Sequence, residues 1–216
     1  MSIENGKFLA SQIPGARFVS YADCSDHLIF PGDRPRLCGD IEEFVTGQRE
    51  ATALDFDRVL ATVLFADIVD STRRAAEIGD QAWRRVLDEH DQTAERIVVQ
   101  HRGKLVKTTG DGILATFDGP GRAIRCALAF EAATKRLGLS VRAGLHTGEI
   151  ELRSDDIGGI AVHAAARVMA QAGPNEVLVS RVVTDLVAGA GLKFSDRGTH
   201  ELKGLPGRWD LFAASA

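Results

Sequence analysis

The apolar positions of this chain change period as one reads along it. Residues Val59 to Phe65 form a continuous apolar, β-branched run, which predicts a buried strand. From Asp80 to His101 the apolar positions Trp83, Val86, Leu87, Ala94, Ile97 and Val98 recur at three- and four-residue steps, which predicts an amphipathic helix ended by Gly103. Between the two, Asp70 to Ile78 reads as a short helix stopped by Gly79, with Asp70-Ser71-Thr72 as its cap. Lys104 to Phe117 reads as a hairpin, because two short strands flank Gly110-Asp111-Gly112. Pro120 opens a helix running to about Leu137, with Ile124, Ala127, Leu128 and Phe130 on its buried face. Ser140 to Gly148 alternates Val141, Ala143 and Leu145 against Arg142, Gly144 and His146, a strand that continues to Leu152.

A polar turn, Arg153 to Gly159, then leads into a helix from about Ile160 to Ala172. Glu176 to Ser180 is a strand, Arg181 to Ala188 a helix, and Lys193 to Asp196 and Trp209 to Ala213 are closing strands around Leu202-Lys203-Gly204-Leu205. The order β-α-β-β-α-β with additions predicts an α+β fold, with helices on one face of an antiparallel-rich sheet.

The first fifty residues have a different texture. Ala16 to Tyr21 alternates like a short strand, and Asp33 to Thr46 reads as a helix ending at Gly47. These features predict a small N-terminal α/β appendage over residues 1–50. Gln48 to Asp57 is polar and Ala-rich. Residues 51–57 are read as the linker, and 58–216 as the main domain. The piece Cys24-Ser25-Asp26-His27-Leu28-Ile29-Phe30 resembles the C-terminal end of an α/β-hydrolase, with His27 at the triad-histidine position. No G-x-S-x-G elbow occurs in the chain. The segment is therefore read as a hydrolase remnant, or the trimmed end of a larger protein, without esterase activity.

Composition narrows the function classes. The 216 residues suffice for one sizeable core plus an appendage. A net charge of −4 argues against general nucleic-acid binding. Three scattered cysteines, Cys24, Cys38 and Cys126, match neither a disulfide frame nor a zinc site and predict reduced thiols in a cytoplasmic protein. No apolar run approaches the roughly 20 residues of a membrane span, and no signal peptide is evident.

The candidate chemistry lies at two strand ends. Asp67 closes the first apolar strand, and Asp111 sits at the hairpin tip. If the hairpin pairs beside the first strand, two carboxylates meet at one edge and repel unless a cation separates them. Two divalent cations roughly 3.5–4 Å apart form a clamp for in-line phosphoryl displacement. Either aspartate alone reads as an ordinary turn residue; the two together favour a metal site. His163 and Arg167 lie four apart and share one helix face. Such an Arg could meet a phosphate bidentately or simply belong to a solvated face. The small neighbours Ala164 to Ala166 leave room for close approach.

Taken together, Phe65-Ala66-Asp67-Ile68-Val69-Asp70-Ser71-Thr72, Lys107-Thr108-Thr109-Gly110-Asp111-Gly112, Arg142-Ala143-Gly144-Leu145-His146-Thr147-Gly148 and Val162-His163-Ala164-Ala165-Ala166-Arg167 resemble the class III nucleotidyl cyclase catalytic domain. The resemblance runs from about Arg58 to Ala213 and implies a ferredoxin-like βαββαβ catalytic domain. It implies that Asp67 and Asp111, with the Ile68 carbonyl, hold two divalent cations, Mg²⁺ or Mn²⁺. It implies that Lys107 and Asp156 read the base, with Asp155 as second choice for the acid, and that this Lys/Asp pair selects ATP over GTP. Arg167 matches the arginine that stabilises charge on the α-phosphate, and Lys203 a basic residue on the triphosphate. The amides of Val69, Asp70, Ser71 and Thr72 would hold the outer phosphates.

One position departs from the family pattern: His163 stands where the ribose-orienting asparagine is usual. The implied activity is conversion of ATP to 3′,5′-cyclic AMP and pyrophosphate, in a homodimer whose sites are shared between chains. Asp67 and Asp111 would come from one chain, and Lys107, Asp156, His163 and Arg167 from the other. The alternative reading is a nucleotide-binding regulatory or dimerisation module that turns over little or nothing.

Overall fold

The computed structural model describes residues 3–20, 34–47, 58–153 and 156–215. The chain divides into two compact units, Met1–Asp57 and Arg58–Ala216.

In the first unit the described residues form two helices, α1 (Ile3–Gln12) and α2 (Arg34–Thr46), and no strand. Residues 16–20 were expected to be a strand but carry no regular secondary structure. Phe18 instead turns its ring onto Gly6, where a Cβ would lie 2.6 Å from the ring. An alternating segment becomes a strand only if a ladder partner takes its backbone groups, and none stands beside it among the described residues. The expected α/β appendage is thus helical as far as it is described. Helix α2 ends as read, at Gly47 with φ of 73°. Tyr21, the hydrolase-like piece with His27, and residues 48–57 lie outside the described residues.

The second unit is built on one mixed sheet. Strand β1 (Arg58–Ile68) lies at its centre, antiparallel to both β3 (Gly112–Phe117) and β4 (Val141–Arg153). Strand β2 (Lys104–Thr108) pairs with β3, and β6 (Glu176–Ser180) runs parallel to β4. Strands β7 (Lys193–His200) and β8 (Trp209–Ser215) complete the order β2-β3-β1-β4-β6-β8-β7. The first four neighbours in that order are the ferredoxin-like core. Strand β7 is longer than the sequence suggested. A register shift between Asp196 and Thr199, with Gly198 at φ of 78°, interrupts the alternation and conceals its second half. A further strand, β5 (Asp156–Gly158), folds back on the end of β4 within what the sequence presented as a polar turn.

Helices cover both faces of this sheet, not one. Leu64, Ala66 and Ile68 of β1 pack against α4 (Asp80–Gln100) and α5 (Pro120–Arg136) through Ala94, Ile97, Val98, Ile124, Ala127 and Phe130. The alternate residues Ala61, Val63 and Phe65 pack against Ala161 and Ala165 of α6 (Ile160–Gln171). The cause is visible in β1 itself: a strand apolar at both parities must be covered on both sides. The short helices α3 (Ser71–Ile78) and α7 (Arg181–Leu186) complete the unit. No helix among the described residues is long and apolar enough to cross a membrane.

Two glycines act through close approach. Helix α4 ends in a Schellman arrangement, with Gly103 N–H on the Val98 carbonyl at 2.9 Å and Arg102 N–H on the Val99 carbonyl at 2.9 Å. The left-handed residue there is Arg102, at φ of 56°, and not Gly103 as expected. Gly103 is required because the Phe117 ring lies where its Cβ would be, at 2.3 Å. Gly144 on β4 lets the α6 backbone rest directly on the sheet: a Cβ there would meet Met169 N at 2.1 Å and Met169 Cα at 2.4 Å. Neither atom can move without shifting the helix. Gly144→Ala is expected to destabilise the domain by about 2–3 kcal/mol, as overpacking against backbone does. A urea titration would read this as a lowered midpoint at unchanged slope, and an unaltered midpoint would show that α6 is free to ride up.

Candidate active site

The candidate side chains fall into three separate groups on these elements. The first forms at the end of β1. Asp67 lies in register between Gly112 of β3 and Arg142 of β4. The Ile68 N–H donates to the Asp111 carbonyl at 3.0 Å, which zips the hairpin tip to the strand end. The hairpin does pair beside β1, which puts the backbones of Asp67 and Asp111 at the same edge. Gly112 makes this possible: a Cβ there would lie 2.6 Å from the Ala66 carbonyl and 3.4 Å from Asp67 Oδ1.

Each carboxylate is held through one oxygen. Arg142 Nη2 donates to Asp67 Oδ2 at 2.8 Å, and the Ser71 hydroxyl donates to Asp111 Oδ2. Neither Arg142 nor the Ser71 contact was foreseen. The Arg142 contact depends on strand register and the Ser71 contact on where α3 starts; the available signal was only a charged residue on the polar parity of β4.

Whether this pair suits a divalent cation can be judged from the donor set. Among the described residues no cluster of three or more acidic, histidine or cysteine side chains could form a closed cage. Mg²⁺ and similar ions prefer one or two carboxylates completed by substrate phosphates and water, so two oxygen donors at an open strand end fit.

The adjoining residues 69–72 differ from expectation in two ways. The Val69 N–H is already given to the Ser140 carbonyl at 2.8 Å, so that amide is not available to a phosphate. Asp70 stands at the N-cap of α3 but does not cap it with its side chain. Its φ is 57°, and its carboxylate takes Arg73 Nη2 at 2.9 Å. The first-turn amides that follow Asp70 have no carbonyl one turn back, as at any helix start.

The second group is Lys107 on β2 and Asp156 on β5. Lys107 Nζ donates to Asp156 Oδ2 at 2.6 Å, and the Ile157 N–H donates to Asp156 Oδ1 at 2.8 Å. The Lys107 hydrogen bond, then the Ile157 amide, hold the Asp156 carboxyl below the usual carboxylate range. Asp155 lies outside the described residues.

The third group is on α6. Ala161, Ala164, Ala165 and Val168 face the sheet and are buried, whereas His163 and Arg167 are exposed on the opposite side. What approaches the small alanines closely is the sheet. Arg167 Nε donates to the Lys203 carbonyl at 3.1 Å, which joins α6 to the turn at 202–205.

The β4 motif that carried much of the sequence resemblance is spent mostly on structure. Arg142 holds Asp67, and Gly144 seats α6. His146 Nδ1 bonds Ser180 Oγ at 2.8 Å, and its ring meets Trp209 edge-on at 5.3 Å. Burial lowers the His146 pKa to about 4, so it stays neutral near pH 7. Thr147 shares a 2.8 Å hydroxyl contact with Thr62 in the core.

Comparison with known proteins gives one consistent answer. Residues 55–213 match the family described as "Adenylate and Guanylate cyclase catalytic domain". A Rhizobium meliloti (strain 1021) protein named "Putative adenylate cyclase 3" is 31% identical over 157 residues, covering 68% of this chain. The match spans only 27% of that relative's length, and 61% of a Mycobacterium bovis relative's, so the chain corresponds to part of the curated proteins it matches. The crystal structure of an adenylate/guanylate cyclase/hydrolase from Silicibacter pomeroyi superposes with a TM-score of 0.64 at 30% identity, covering 72% of this chain and 96% of that one. The adenylyl cyclase CyaB from P. aeruginosa shares the fold, with a TM-score of 0.69 at 21% identity over 74% of this chain and 95% of the other. The chain belongs to the adenylate and guanylate cyclase catalytic domain family.

Proposed function

We propose that this chain is an adenylate cyclase, converting ATP to 3′,5′-cyclic AMP and pyrophosphate at sites shared between two copies. The observation that carries the base assignment is the Lys107–Asp156 pair, met at 2.6 Å between two separate strands. Lys107 donates to an adenine ring nitrogen, and Asp156 accepts from the exocyclic amine. Guanine presents the opposite pattern at those edges. Among solved relatives, one rhodopsin-guanylyl cyclase of converted specificity is described in complex with ATPαS, and another guanylate cyclase domain with GTP. The family therefore includes domains bound to either nucleotide, and the base-facing side chains have to decide.

Asp67 and Asp111, with the Ile68 carbonyl, would hold two divalent cations, Mg²⁺ or Mn²⁺, which when bound supply charge neutralisation and Lewis acidity. The remaining work falls to the chain. The amides after Asp70, from Ser71 and Thr72, face the outer phosphates, and Lys203 binds the triphosphate. His163 orients the ribose by donating one hydrogen bond from its imidazole. The ribose 3′-oxygen, losing its proton to solvent, attacks the α-phosphorus in line, and pyrophosphate leaves. Arg167 stabilises the charge that develops on the α-phosphate. No side chain becomes covalently attached.

The directions of these groups support a shared site. In one chain, Asp67 has the parity of Val63 and Phe65 and so lies on the α6 face of the sheet. Arg167 and His163 point away from that sheet. In the proposed dimer they would reach the site of the second copy. Among proteins of this fold, one guanylyl cyclase domain is described as a non-canonical dimer and Trypanosoma brucei adenylate cyclases in a monomeric state.

Incubation with ATP or GTP and Mn²⁺ or Mg²⁺, with product separation by chromatography, is expected to yield cyclic AMP from ATP and none from Asp67→Ala. Cyclic GMP as the main product would overturn the base assignment. ATP binding without turnover would favour the regulatory-module reading, which His163 at the asparagine position supports.

Equal amounts of the inactive Asp67→Ala and Arg167→Ala chains should regain about a quarter of wild-type activity, because half the dimers are mixed and each carries one intact site. Mixed dimers without activity would exclude sharing. His163→Ala should lower kcat by at least about 10-fold through lost orientation, with His163→Asn restoring it. Unchanged kcat in His163→Ala would remove that role.

A further inference from the structure

The contact between Arg167 and the turn at 202–205 assigns a role to a residue that carries no side chain. The Leu205 N–H donates to the Leu202 carbonyl at 3.0 Å, closing a four-residue turn. Gly204 has φ of 82°, while Lys203 is not among the non-glycine residues with positive φ. One negative and one positive φ at the two central positions define a type II turn, whose third residue must be glycine or asparagine. Relative to a type I turn, the peptide between the central residues is rotated by roughly half a turn. That rotated peptide places the Lys203 carbonyl 3.1 Å from Arg167 Nε. A type I turn would turn the carbonyl away and bring an N–H, which cannot accept, toward the guanidinium.

The turn is also fixed to the helix it serves. Leu202 is buried and Leu205 partly buried in a cluster that includes Val168, the residue after Arg167, together with Leu211. The carbonyl and the guanidinium therefore ride on one packed body. Gly204 itself is exposed, and a Cβ built there would meet nothing within 4 Å. Space does not require the glycine; the backbone conformation does.

We propose that Gly204 is a positioning residue for Arg167: by allowing the type II turn it turns the Lys203 carbonyl onto Nε and leaves the terminal nitrogens of the guanidinium free for the α-phosphate. The inference rests on the reading of Arg167 given above. It separates two functions within one turn. The Lys203 side chain holds the triphosphate, and the Lys203 backbone aims the arginine.

The test compares Gly204→Val, Gly204→Asn, Lys203→Ala and Arg167→Ala in the full chain. Valine disfavours the positive φ; asparagine tolerates it. Gly204→Val is expected to lower kcat about 10- to 100-fold, as misplacement of a catalytic group does, with KM for ATP little changed. Gly204→Asn should recover most of kcat, and Lys203→Ala should raise KM more than it lowers kcat. A readout independent of turnover is the Arg167 Nε–H signal in a ¹H–¹⁵N spectrum, identified by its absence from Arg167→Ala. It should shift in Gly204→Val and stay in place in Gly204→Asn and Lys203→Ala.

Wild-type kcat in Gly204→Val, with Arg167→Ala inactive, overturns this inference and leaves the role of Arg167 intact. The same outcome for the inference follows if kcat falls in Gly204→Val while the Arg167 Nε–H signal stays in place, because the glycine then acts elsewhere. Wild-type kcat in Arg167→Ala itself overturns the Arg167 reading first. If the valine chain does not fold by circular dichroism, Gly204→Ala, with the milder φ penalty, takes its place in every comparison.

Discussion

The cross-strand row Gly112–Asp67–Arg142 is the constraint on which the site depends. A carboxylate at the centre of a sheet needs a partner, and a second carboxylate at the neighbouring hairpin tip makes the need greater. The fold answers with an arginine on one side, a glycine on the other and a serine hydroxyl on the hairpin aspartate. Each of these is fixed by register. A one-residue slip of β4 would send Arg142 to the opposite face and leave Asp67 without its counter-charge. The Ile68–Asp111 and Val69–Ser140 backbone bonds prevent such a slip where it would matter most. The consequence is that the Val69 amide, engaged in anchoring the strand end, has no hydrogen left for a phosphate.

The same sheet sets the position of α6. Gly144 and the buried alanines let the helix lie close to β4, and its charged residues face outward as a result. A helix so seated has little freedom to rotate, since rotation would lift Ala164 or Ala165 from the sheet. Arg167 thus has a fixed root, and the turn carrying Lys203 fixes the near end of its guanidinium. Precision at the outward face of the domain comes from packing at its inward face.

Much of this was legible in the sequence, for specific reasons. Strand β1, helices α4 to α6 and the Gly110–Gly112 hairpin announce themselves by long periodic or strongly punctuated patterns. Asp67 beside Asp111 followed from two strand ends and one hairpin. What escaped were features decided by partners far away in the chain. Strand β5 is three residues long, too short for a period. The bulge at Gly198 hid half of β7. Residues 16–20 alternate without a ladder to join. The covering of both faces of the sheet is implied by the continuous apolar run of β1, against the one-face expectation that the order of elements suggests. Arg142 could not be assigned to Asp67 without knowing which residue of β1 it faces.

On the base assignment proposed above, selection at the Lys107–Asp156 pair would be an exchange of partners. In the chain alone, both Asp156 oxygens are engaged, one by Lys107 and one by the Ile157 amide, while Lys107 spends its bond on Asp156. An adenine entering between them breaks one ion pair and offers each partner a new bond, an acceptor for the ammonium and a donor for the carboxylate. The hydrogen-bond count rises, and neither charge is left facing a like group. A guanine breaks the same ion pair but meets the ammonium with a donor and the carboxylate with an acceptor, leaving both unsatisfied. Both side chains are about half exposed, so water softens the penalty for the wrong base. The pair would therefore discriminate through the bond that the wrong base fails to restore. On that assignment, only a base that offers an acceptor to Lys107 and a donor to Asp156 would replace the bond they make to each other.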